Sequence, residues 1–214
     1  MKKTPKHSAI FTIILLFFSC SDKWSDLNKY GKFSEKLVVE IPTNKTGKRV
    51  GGLDYNYLST KPYAHILRLD SLELGFTTLQ IRIWLGHSMA LKKHIVILKL
   101  VDTHWSGQLI TLDRSGHNET YSIKKINPKN GWKNFAEKVN SLGIINLPNS
   151  EELLNYNGCG FDGIDYKFEI ATPNRYCFYY YCNPSENMSE FWQAKNVMTF
   201  AELLEDQFNF EYTK

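Results

Sequence analysis

The chain has 214 residues, of which 43% are apolar and 22% charged, and a formal net charge of +4. This usage excludes intrinsic disorder over most of the length, and no stretch reaches the roughly 20 apolar residues of a membrane-spanning helix. Lys2, Lys3 and Lys6 supply three of the positive charges from the extreme N-terminus. The rest of the chain then holds 23 basic against 22 acidic residues, which gives no argument for nucleic acid or another acidic partner.

The first 19 residues read as a secretory signal peptide. The three lysines form a basic start, and Ala9 to Phe18 is a run of apolar residues broken only by Thr12. Ten helical residues rise about 15 Å, half of the hydrocarbon core, so the run is too short to span it. A basic start, a short apolar run and a small residue, here Ser19, are the marks of an export signal. Cys20 follows at once.

Leu16-Phe17-Phe18-Ser19-Cys20 resembles the lipobox of bacterial lipoprotein precursors, with phenylalanines like those of Bacteroidetes members. The resemblance implies cleavage before Cys20 and attachment of two or three acyl chains, palmitate among them, to that residue. More than one chain makes anchoring stable. Ser21 beside the cysteine resembles the sorting rule for the outer membrane. The face of the membrane, periplasmic or surface, stays open.

Residues 20–34 read as the lipidated cysteine and a polar tether. Residues 35–214 read as one α+β domain. Lys36 to Pro42 is a short strand candidate, and 43–52 is a basic, turn-rich loop. Tyr63 to Leu69 alternates Tyr63, His65, Leu67 and Leu69 on one face and is expected to be a strand. Thr78 to Leu85 is the clearest strand: Leu79, Ile81, Ile83 and Leu85 share a face, and Arg82 and Trp84 lie on the other. His94 to Val101 is apolar on both faces, which suits a central strand. Gln108 to Leu112 follows, and Tyr121 to Ile126 reads as an edge strand. Short linkers favour hairpins and a mainly antiparallel meander.

After Pro128 the pattern changes to helix, strand, strand, helix. Trp132, Phe135, Ala136, Val139 and Leu142 recur at helical spacing, and Gly143 is a good stop. Tyr166, Phe168 and Ile170 alternate on a strand, and Thr172 to Arg175 turns it back into Tyr176 to Cys182. Ser189 to Phe208 is an amphipathic helix that Ser189 can cap. Several phrases here, among them Gly131-Trp132-Lys133-Asn134-Phe135, Leu147-Pro148 and Glu205-Asp206-Gln207-Phe208, resemble a family of Bacteroidetes lipoproteins. These are packing and turn motifs, so the resemblance implies a fold and no chemistry.

No catalytic residue, metal site or cofactor motif stands out. The mature chain carries His65, His87, His94, His104 and His117, but no HExxH, CxxC or His-x-His spacing. His87 and His94 flank a hairpin loop and can face one another across it. Cys159 can pair with Cys177 or with Cys182 in an oxidising envelope. Cys177 and Cys182 lie on one strand, too far apart to pair with each other, and their opposite parity puts at most one of them toward a single core.

Aromatic residues supply the functional colour. Arg82 with Trp84, and Tyr179 with Tyr181, form candidate binding surfaces if their faces stay open, because such rings give contact area at low entropic cost. The expected function is a lipid-anchored, non-catalytic envelope module that binds a protein or a glycan. The alternatives are a periplasmic inhibitor or toxin-immunity lipoprotein, and an envelope hydrolase of unrecognised type.

Overall fold

The computed structural model describes residues 37–42, 53–87, 90–116, 118–158 and 163–212. The export signal, Cys20, the tether, the loop over 43–52, His117, Cys159 and the His87 side chain lie outside the described residues.

The fold is α+β. Seven strands form one mostly antiparallel sheet: β1 (Val38–Glu40), β2 (Leu79–His87), β3 (Lys92–Val101), β4 (His104–Asp113), β5 (Thr120–Ile126), β6 (Ile164–Thr172) and β7 (Arg175–Cys182). Their order across the sheet is β1-β7-β6-β2-β3-β4-β5. The hairpins β2-β3, β3-β4 and β4-β5 form the expected meander, and β6-β7 is a fourth hairpin. β1 departs from the rule by pairing parallel to β7.

Among the described residues four helices accompany the sheet: α1 (Tyr55–Ile66), α2 (Gly131–Ser141), the single turn α3 (Pro184–Asn187) and α4 (Trp192–Phe208). Among the described residues no helix is long and apolar enough to cross a membrane. α2 and α4 cover one face. Phe135 and Val139 of α2 and Val197, Phe200, Leu204 and Phe208 of α4 pack on the Leu79, Ile81, Ile83 and Leu85 row of β2 and on Phe168 and Tyr179. Gly143, in the left-handed conformation at φ 66°, follows the end of α2 as a stop. The last helix begins later than the Ser189 cap predicts. Its N-cap is Phe191, with no side-chain cap, so burial of its apolar stripe must hold it.

The opposite face carries the main correction. Tyr63 to Leu69 is not a strand. Tyr63 to Ile66 is the last turn of α1, and Leu67 is its C-cap. The Oδ1 of Asp54 accepts from the backbone N–H groups of Asn56 and Tyr57 and starts the helix. Tyr57, Thr60, Ala64 and Leu67 then fall at three- and four-residue steps and face the sheet, which outweighs the chance alternation around His65.

Gly107 is required where β4 meets α2. A Cβ there would sit 2.8 Å from Cγ1 of Ile126 and 2.9 Å from the Trp132 ring. Trp132 is held by stacking on Trp105, with ring centroids 6.1 Å apart. Gly107→Ala is therefore expected to destabilise the fold by about 1–3 kcal/mol, the usual effect of overpacking. A urea midpoint equal to that of the wild type would refute this.

Candidate functional site

Both faces of the sheet are cores, so the predicted aromatic surfaces do not exist as open surfaces. Arg82, Trp84, Tyr179 and Tyr181 are all buried. Tyr179 and Tyr181 lie under α2 and α4, where their hydroxyls donate to the backbone carbonyls of Ile144 and Pro148. Arg82 and Trp84 face α1 instead, around the carboxylate of Glu169. Arg82 Nη1 lies 3.1 Å from Glu169 Oε2, and Trp84 Nε1 donates to the same oxygen at 2.8 Å. The Tyr176 hydroxyl donates to Oε1 at 3.1 Å, and Arg82 Nη2 donates to the carbonyl of Asp70 at 2.9 Å. Arg82 and Glu169 are 2% and 1% exposed, so this is a buried ion pair whose remaining bonding capacity is largely filled by neighbours.

A second carboxylate ties α1 down. Glu73 accepts from Tyr57, Lys61 and Ser71. Burial raises its pKa, but the bonds from Lys61, Ser71 and Tyr57 outweigh that and bring it down to about 2. Arg82 and Trp84 are hot-spot residue types, and here Trp84 packs with Tyr63 and Ala64 of α1 while Arg82 joins β2 to β6.

Both strand cysteines are buried, against the expectation that only one could face a core, because each sheet face has its own cover. Cys182 is disulfide-bonded and Cys177 is a free thiol, pushed up to about 11 by burial. Among the described residues no three His, Cys, Asp or Glu gather as metal ligands. His94 pairs with Leu85 in the β2-β3 ladder, and its Nδ1 lies 3.1 Å from Thr111 Oγ1.

The open feature is a cleft of about 720 Å³ between α1 and the ends of β2, β3 and β6. Its floor includes Trp84, Ile95 and Leu112. One wall is α1, which presents Tyr55, Ser59 and Tyr63, residues four apart and so one above another on the helix. The other wall includes Lys93, Asp165 and Lys167. Lys167 Nζ donates to Ser59 Oγ at 3.0 Å and lies 3.5 Å from Asp165 Oδ2. Burial lowers the Lys167 pKa, and Asp165 opposes that shift. The Lys93 ammonium sits 5.1 Å from the centroid of the Tyr63 ring. Tyr55 stands at the mouth with 66% of its surface exposed.

Hydrogen-bond polarity limits what this group can do. Ser59 Oγ donates to the carbonyl of Asn56 at 2.7 Å and accepts from Lys167. The amine donates a hydrogen bond to the hydroxyl, whose own proton goes to the Asn56 carbonyl, which orders the pair for binding and gives Ser59 no base in this arrangement. Of the lining residues the sequence marks Trp84 and His94, and it gives no sign of Tyr55, Ser59, Asp165 or Lys167 as site residues. Comparison with protein families, with characterised proteins and with solved structures finds no match.

Proposed function

We propose that this chain is a lipid-anchored cell-envelope module that binds a protein or glycan partner in the cleft beside α1. Anchoring rests on the basic start, the short apolar run and Ser19-Cys20, through which the protein is held at the outer membrane. Binding rests on one observation. The cleft combines an exposed ring at its mouth with an ordered Ser59-Lys167-Asp165 group inside, with Lys167 of β6 bonded to Ser59 of α1. A concave, partly apolar site with few fixed polar groups is the usual form of a ligand pocket. The same reading pairs Cys182 with Cys159, since Cys177 is free and Cys20 carries lipid.

Cell fractionation tests the anchor. The wild type is expected in the membrane fraction, labelled by an alkyne fatty acid. Cys20→Ala is expected in the soluble fraction without label. Membrane recovery and labelling that survive Cys20→Ala would overturn the lipoprotein reading.

A further inference from the structure

We infer that the cleft takes the end of a neutral glycan, with a sugar ring stacked on Tyr55 and its hydroxyls on the Ser59-Lys167-Asp165 group. This deepens the binding reading above and depends on it.

The cleft lining holds two ammonium groups, Lys93 and Lys167, and one carboxylate, Asp165, and each cation is already engaged. Lys167 is opposed by Asp165 at 3.5 Å, and Lys93 lies over the Tyr63 ring. An anionic ligand would have to displace these contacts. An acidic ligand would also meet Asp165. A long cationic ligand would meet two ammonium groups.

A hydroxyl-rich ligand fits the bonding pattern. Lys167 can only donate, the Asp165 carboxylate can only accept, and the amide of Asn56 and the phenol of Tyr55 can do both. Adjacent hydroxyls on a sugar ring present a donor and an acceptor side by side, which a neighbouring ammonium and carboxylate can each engage. The apolar face of the same ring suits Tyr55, whose phenol has an apolar body and a polar tip. Tyr55 and Ser59 are about 6 Å apart along the axis of α1, roughly one helical turn, which is within the span of a single sugar ring. A volume of about 720 Å³ leaves room for a second sugar toward Tyr63.

The test uses the soluble Cys20→Ala protein and titration calorimetry with three probe sets: neutral oligosaccharides (maltotriose, cellotriose, chitotriose), an oligogalacturonate, and a mixed peptide library. A neutral oligosaccharide is expected to bind. Tyr55→Ala, at a half-open position, is expected to fold normally and to weaken binding three- to tenfold, and Asp165→Asn by about tenfold. Tyr121→Ala, on exposed β5, should change nothing. Binding of the oligogalacturonate or of peptide that falls with Tyr55→Ala would overturn the neutral-glycan inference and leave the cleft as the site. Binding of any probe that ignores both Tyr55→Ala and Asp165→Asn would overturn the cleft as well. No binding by any neutral oligosaccharide also overturns the inference.

Discussion

Glu169→Gln is expected to lower the unfolding free energy by about 3–5 kcal/mol, the usual effect of removing one partner of a buried ion pair. The charge it removes is the centre to which Arg82, Trp84 and Tyr176 all point. Arg82 would stay 2% exposed beside Ile97 with only the carbonyl of Asp70 to oppose its charge. The Tyr176 and Trp84 donors would compete for one neutral amide oxygen. Urea unfolding followed by circular dichroism measures the loss, and an unchanged midpoint would refute this account. The double variant Arg82→Met with Glu169→Leu should recover part of the loss, because a buried pair exchanged for apolar side chains is often close to neutral. Failure of that recovery would place the damage in Trp84 and Tyr176 instead of in the stranded cation.

Cys182→Ser is expected to cost about 3 kcal/mol relative to the oxidised wild type, the entropy of a loop of the length that Cys159 would close. A digest without reductant should yield one linked peptide pair that contains Cys159 and Cys182. Cys177 should react with an alkylating reagent only after denaturation, since its thiol is both buried and held protonated. A linked pair containing Cys177, or an unchanged midpoint for Cys182→Ser under oxidising conditions, would overturn the assignment.

The strands were readable because alternation survives any tertiary setting that covers at least one face. β2 shows this best: Leu79, Ile81, Ile83 and Leu85 face α2 and α4 as the pattern requires. What alternation could not reveal was that the polar row also lies under a helix. Arg82 on β2 and Glu169 on β6 read as solvent-facing in isolation, and they are buried because they satisfy one another.

α1 was missed for a local reason. His65 separates Tyr63 and Leu67 in a way that fits period two, and Pro62 inside the element argues against a helix. The signal that could have found it is Asp54 as an N-cap, followed by Tyr57, Thr60, Ala64 and Leu67. The cleft inherited that miss. Ser59 and Lys167 lie 108 positions apart, so nothing short of the sheet order could place them together.

The parallel strand β1 has a bearing on solubility. Tyr176 to Tyr181 is an uncharged run without glycine or proline, the composition that stacks readily into cross-β aggregates. β7 would be the last strand of the sheet if β1 were absent. Among the described residues its outer edge is closed by three paired residues, Val38, Val39 and Glu40, and farther along by Asn149, whose side-chain oxygen accepts from the Tyr180 N–H at 3.1 Å. Glu40 adds a clasp through Arg175 at 2.7 Å. These few contacts act as a guard rail on the most adhesive strand. Loss of β1 would expose the outer edge of β7 as a template for self-association.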